Sequence, residues 1–173
     1  MYVPSDDSFL LADCLKHHRG KRALEIGVGS GVLLQVLERN FQEVAGSDIS
    51  LQALHHCKGK ASAMLVCCDA ASVFTGKFDL IVSNPPYLPD DDANDPTIHG
   101  GPTGVETIIR FVQSALPLLA GGGKMLVVVS SLANVTELDR RVTEMKLQKK
   151  VVKEKRLFYE TLSVVELSLF QQL

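Results

Sequence analysis

No feature of this sequence marks a metal centre, a secreted scaffold or a membrane span. Its four cysteines, Cys14, Cys57, Cys67 and Cys68, lack C-x-x-C spacing. That removes a common zinc-site pattern and points to a reduced, cytoplasmic setting. Adjacent His55, His56 and Cys57 resemble ligands, but neighbouring side chains leave a helix or strand in different directions. They read as ordinary helix positions, and no metal is expected. No signal peptide occurs, nor an apolar run long enough to cross a bilayer. The net charge is only −2, so no general basic field draws the chain to nucleic acid. The basic residues between Arg140 and Arg156 come nearest to such a patch and read as the solvated face of a helix and a strand. Internal repeats, low-complexity linkers and a Ser-His-Asp constellation are also missing.

What is present suits one domain over residues 1–173. At 46% hydrophobic and 22% charged residues, the chain can bury a real core. It opens directly on a structured segment, so no accessory domain is expected ahead of it. Residues 5–8 offer helix caps, and Phe9, Leu10, Leu11 and Leu15 give apolar helical spacing up to Gly20. Short apolar runs at 22–26, 43–48, 63–67, 78–82 and 124–129 read as strands. Helical stretches are expected at 32–37, 51–57, 107–116 and 135–145, with Pro117 and Gly121-Gly122-Gly123 breaking the chain before the fifth strand. Residues 151–157 and 163–170 read as an antiparallel hairpin at the sheet edge. The polar stretch 90–104, with two prolines and three glycines, is a loop of the length that usually serves function. Strand–helix alternation predicts a three-layer α/β/α, Rossmann-like sandwich on a mainly parallel sheet.

The first strand ends in Leu24-Glu25-Ile26-Gly27-Val28-Gly29-Ser30-Gly31. Glycines there let the backbone pass close under a ligand. The spacing is G-x-G-x-G, which differs from the dinucleotide fingerprint. Asp48 closes the second strand, where a carboxylate can accept from a ribose diol, and Asp69 closes the third, where it can accept from an adenine amino group. Together with Glu25 they line the crevice in which open α/β sheets bind ligands. Glu25 discriminates between ligands. A carboxylate repels a pyrophosphate but suits the cationic methionine part of S-adenosylmethionine.

Asn84-Pro85-Pro86-Tyr87 follows the fourth strand. An amide or exocyclic amine nitrogen is a poor nucleophile because its lone pair is delocalised. Two acceptors, the Asn84 side-chain oxygen and the Pro85 carbonyl, can hold its N–H bonds so that the lone pair turns toward an electrophilic methyl. The same acceptors stabilise positive charge developing on nitrogen. The prolines, Pro86 included, bring no competing N–H and hold the carbonyl rigidly. Tyr87 can stack on a flat target. No strong base is needed, and positioning alone can be worth ~7–11 kcal/mol.

Three further segments extend the pattern: residues 2–11 read YVPSDDSFLL, 100–104 read GGPTG and 160–164 read ETLSV. With residues 25–31, Asp48, Asp69 and 84–87, they resemble the class I S-adenosylmethionine-dependent methyltransferases and, within them, the short branch of HemK-like N5-glutamine methyltransferases. The resemblance implies a seven-stranded sheet with an antiparallel last strand, and a helical segment at 1–20 capping the cofactor site. It implies cofactor contacts from Ser8, Glu25, Gly27, Gly29, Gly31, Asp48, Ile49, Asp69, Ala70 and Asn84. Asn84, Pro85, Pro86 and Tyr87 would bind and orient the substrate amide. The implied reaction is methylation of the glutamine in the Gly-Gly-Gln motif of a class I release factor, with a small zinc-binding activator subunit as partner. Adenine-N6 methylation of nucleic acid, protein lysine methylation and a non-catalytic cofactor-binding role are the alternatives. The acidic balance weighs against nucleic acid, and intact Glu25, Asp48 and Asn84 weigh against loss of catalysis.

Overall fold

The computed structural model describes residues 3–92 and 95–170. Tyr2 of the opening motif lies outside them. Seven strands form one sheet: β1 (Gly20–Ile26), β2 (Phe41–Asp48), β3 (Met64–Cys67), β4 (Phe78–Ser83), β5 (Leu119–Ser130), β6 (Leu147–Arg156) and β7 (Thr161–Leu169). Their order is β3-β2-β1-β4-β5-β7-β6. β1 through β5 run parallel, and β7 inserts antiparallel between β5 and β6. The sheet is therefore mostly parallel with an antiparallel last strand, and β6 forms one of its edges.

Among the described residues five α-helices pack around it: α1 (Asp6–Leu15), α2 (Val32–Glu38), α3 (Leu51–Cys57), α4 (Glu106–Ala115) and α5 (Val135–Glu144). Strand side chains alternate between faces, and β5 shows the consequence. Its Met125, Val127 and Val129 join α4 residues Ile108 and Val112 in one apolar cluster, with Leu138 and Val142 of α5. Leu126 and Val128 face the opposite cluster with Leu11 and Leu15 of α1 and Leu33 and Leu37 of α2. A strand buried on both faces must be apolar throughout, which is why this run reads MLVVV. Each such fully buried side chain stabilises by about 1.5–3 kcal/mol. Among the described residues no helix is long and apolar enough to cross a membrane.

Two local readings need correction. The first helix stops at Leu15 rather than reaching Gly20. The Asp79 carboxylate accepts from the N–H groups of Lys21 and Arg22 at 2.7 and 2.9 Å, which draws this stretch into β1. Gly121-Gly122-Gly123 does not end an element. β5 runs through the triplet from Leu119, with a register shift opposite the Phe78–Leu80 stretch. The chain comes so close to β4 here that a Cβ on Gly123 would lie 2.7 Å from the Phe78 carbonyl. The glycines make an enlarged bulge, in which β5 absorbs three extra residues between its pairings with Phe78 and Leu80.

Candidate active site

The carboxyl ends of β1, β2 and β4 surround a cavity of about 510 Å³, a size typical of small-molecule sites. Its floor is the turn after β1. Gly27 and Val28 donate to the Ser47 carbonyl at 2.8 and 3.0 Å, stitching the turn to β2. Asp48 then accepts from Gly29 N–H at 2.9 Å and from Ser50 N–H at 2.7 Å, which ties its side chain to the turn. Gly29 and Gly31 both have positive φ but serve different ends. A Cβ on Gly29 would meet nothing within 4 Å, so that surface is open, whereas one on Gly31 would lie 2.7 Å from Cys57 Sγ. Gly29 gives access and Gly31 gives packing.

The cavity collects Ser8, Glu25, Gly27, Gly29, Asp48, Ile49, Asp69, Ala70, Asn84, Pro85, Pro86 and Tyr87 along its wall. Gly31, also expected there, lies behind it. Glu25 is buried, and its Oε2 has no partner among the described residues. Burial, reinforced by the neighbouring Asp48 charge, pushes its carboxyl well above the usual carboxylate range. Ala70 sits at φ +49, a conformation that costs an L-residue roughly 1–2 kcal/mol. Its carbonyl accepts from the buried Ser47 hydroxyl at 2.6 Å, which helps hold it there.

At the end of β4, the Ser83 hydroxyl donates to the Ile26 carbonyl at 2.7 Å and locks the strand exit to β1. Asn84 follows. Its amide nitrogen donates to Ser8 Oγ at 3.2 Å, while its Oδ1 is buried without a partner among the described residues. The Tyr87 hydroxyl donates to Asp7 Oδ2 at 3.1 Å. The loop at 95–104 folds back on this segment: Tyr87 and Leu88 N–H donate to the Ile98 carbonyl at 3.1 and 3.0 Å, and Gly100 N–H donates to Leu88 at 2.8 Å. A Cβ at Gly100 would come within 2.4 Å of the Pro86 carbonyl, so only glycine fits. The polar loop thus buttresses the Pro-Pro-Tyr backbone.

Wall residues that escaped the sequence reading include Asp7, His99, Arg110 and Phe111. Arg110 of α4 pairs with Asp69 at 2.5 Å, both side chains half exposed. His99 is buried, with Nε2 3.3 Å from Asp91 Oδ1 and Nδ1 unpartnered among the described residues. Asp7 had a visible signal, since it lies beside Ser8 in the opening motif. His99 sits in a polar loop, and Arg110 is a charged residue within an otherwise periodic helix, so neither position stands out from its local pattern.

This sheet order, a glycine turn floored against three strand-end carboxylates, and an Asn-Pro-Pro-Tyr exit define a Rossmann-like methyltransferase. Comparison with known proteins narrows the class. The profile described as methyltransferase small domain matches residues 5–159, and the chain belongs to that family. A Methanocaldococcus jannaschii protein provisionally named protein N5-glutamine methyltransferase is 30% identical, over 95% of this chain and 90% of its own length. The ribosomal RNA small subunit methyltransferase C of Serratia proteamaculans is 32% identical over 72% of this chain, which spans 35% of that protein. Among solved structures, the E. cuniculi Mtq2–Trm112 complex, described as responsible for methylation of the termination factor eRF1, superposes with a TM-score of 0.81. The identity there is 29%, covering 97% of this chain and 98% of that one.

Proposed function

We propose that this enzyme transfers a methyl group from S-adenosylmethionine to the side-chain nitrogen of the glutamine in the Gly-Gly-Gln motif of a class I release factor. The observation that carries the reading is Asn84. Ser8 holds its amide nitrogen, which leaves Oδ1 as a buried acceptor with no protein partner among the described residues. A buried acceptor without a partner is costly unless a ligand N–H completes it, and a primary amide offers such an N–H.

The cavity fits the cofactor on the same kind of evidence. The orphaned Glu25 Oε2 suits a cationic amino-acid end, and the open surface at Gly29 admits close approach of a ligand. Asp48 would take the ribose diol and Asp69 the adenine amino group, with Gly27, Ile49 and Ala70 along the wall. When bound, S-adenosylmethionine supplies an electrophilic methyl on sulfonium sulfur. The residues of this chain do the rest. Asn84 and the Pro85 carbonyl hold the target N–H bonds and stabilise positive charge on nitrogen, and the proton passes to water after alkylation. Tyr87, tethered to Asp7, walls the target side. α1, which carries Asp7 and Ser8, caps the cofactor.

A small activator subunit, zinc-binding by the resemblance, fits the β3 edge. β3 reads Met-Leu-Val-Cys without a charge, Met64 is 56% exposed, and exposed Ile49 and Leu51 adjoin it. β6, at the opposite edge, carries four lysines and an arginine, the kind of charge that discourages strand addition.

The ribosomal RNA relative keeps a second acceptor class in view, since the same acceptor pair suits an exocyclic amine. Incubation with labelled cofactor decides between them, using an eRF1-type release factor, the same factor with its Gly-Gly-Gln glutamine replaced, and RNA and DNA. Label is expected in the intact release factor alone, and its appearance in nucleic acid instead would overturn the assignment.

A further inference from the structure

The β6–β7 hairpin ends in a feature that the transfer reaction does not use. Phe158 and Tyr159 at its tip are 89% and 84% exposed. They pack on each other edge to face, with centroids 4.6 Å apart. Two large apolar rings left in solvent mark an interaction site more often than chance. The tip is held rather than frayed. Leu157 N–H donates to the Glu160 carbonyl at 2.8 Å, Thr161 N–H donates to Ser131 Oγ at 2.9 Å, and the Ser130 hydroxyl donates to the Glu160 carboxylate at 2.5 Å.

Its position names the occupant. β5 pairs Val127 with Ser83, the last residue of β4, then continues through Ser130, about 10 Å farther on. The hairpin is paired to that extension through Leu162 and Thr161. The tip therefore projects past the sheet edge from which Asn84 emerges. Lys155 joins it to α1 by a 2.8 Å pair with Asp6, next to the Asp7 that holds Tyr87. Leu132, 47% exposed on the adjoining turn, widens the apolar rim. The acceptor oxygen of Asn84 is buried, so a target side chain must reach it on a projecting segment, with the bulk of a protein substrate left outside the cavity. The β3 edge lies at the far side of the sheet, so a subunit bound there would leave the tip uncovered.

We propose that Phe158 and Tyr159 are the docking anchor for the body of the protein substrate that presents the acceptor glutamine. This rests on the protein-substrate reading above. The anchor determines which proteins are held at the mouth, while Asn84 determines which group is methylated.

The test compares wild type with the double variant Phe158→Ser/Tyr159→Ser, and with Phe158→Leu/Tyr159→Phe, on an eRF1-type release factor. The serine variant should raise KM about tenfold to thirtyfold, as loss of an aromatic anchor does. Its kcat at saturation, thermal midpoint and cofactor Kd should stay at wild-type values, and the Leu/Phe variant should recover most of the loss. An unchanged KM would overturn the proposal. So would a parallel loss of kcat and cofactor affinity, which would make the tip structural. Wild type alone tests the substrate: if it labels RNA but not the release factor, the glutamine reading fails. With the release factor labelled by wild type, an unchanged KM in the serine variant overturns the anchor alone.

Discussion

The crevice above β1 and the outer surface formed by α1, α5 and β6 both carry carboxylates, and they treat them in opposite ways. On the outer surface, Asp13 of α1 pairs with Lys153 and, at 2.8 Å, with Lys16, and these bonds lower its pKa to about 2. Arg140 pairs with both Glu137 and Glu144 of α5. In the crevice, Glu25 is buried with its pKa driven up and one oxygen unmatched among the described residues. Exposed pairs are screened by water and contribute little, whereas a buried unmatched carboxylate is held at a cost to the free fold. The surface satisfies its charges internally, and the crevice leaves the Glu25 oxygen to be completed by a ligand. This contrast separates solubility from function in a protein whose net charge indicates neither.

Six substitutions test the contrast. Asn84→Ala should have the largest effect: removing one transition-state hydrogen-bonding group typically lowers kcat by about 10²–10³-fold. Initial rates on the release factor measure it, and wild-type turnover in this variant would sink the assigned role. Glu25→Gln should weaken cofactor binding about tenfold or more, as loss of a charged hydrogen-bond partner does, measured by titration calorimetry. It should also stabilise the ligand-free protein. Because the folded pKa of Glu25 lies above its ordinary value of 4.5, the folded state holds its proton longer than the unfolded chain. The contribution of Glu25 to stability is then fully present below pH 4.5 and declines as pH rises toward the folded value. Thermal melts of wild type and Glu25→Gln from about pH 5 to about pH 8 should diverge, the variant being flatter. Parallel curves would remove the claim that Glu25 is held unmatched.

Gly31→Ala should lower stability by roughly 1–2 kcal/mol from its left-handed backbone alone, and more from the contact with Cys57. Gly29→Ala, facing open space, should lose cofactor affinity more than stability. Urea midpoints paired with cofactor titrations separate the two. The smallest effects belong to the outer surface. Asp13→Asn and Arg140→Ala should leave the thermal midpoint at neutral pH within measurement scatter. Because the pKa of Asp13 is depressed, its small contribution is present above pH 3.8 and lost as pH falls toward 2. A large midpoint loss in either variant would break the comparison.

Most of the crevice could be read in advance because its signals are local. The glycine turn, Asp48 and Asp69 each close an apolar run, and the Asn-Pro-Pro-Tyr segment leaves a strand whose period is plain. The misreadings arose where local and tertiary preferences diverge. A glycine triplet is a break by composition, but beside β4 it is a bulge within β5. The helix expected to reach Gly20 yields to Asp79, nearly sixty residues away, whose carboxylate draws Lys21 and Arg22 into the sheet. Arg110 and His99 had no pattern to reveal them, because their significance lies in which wall they occupy.

The sequence by itself determined the alternation of strands and helices, the glycine turn, the three strand-end carboxylates and the Asn-Pro-Pro-Tyr exit from the fourth strand. Those depend on spacing and residue type within a few positions. Only the tertiary structure decided that Ser8 takes the Asn84 amide and leaves its oxygen unmatched, that Asp7 holds Tyr87, and that Glu25 is sealed from water. The physical reason is separation along the chain. The first two bonds join residues 76 and 80 positions apart, and desolvation depends on every element packed around a group.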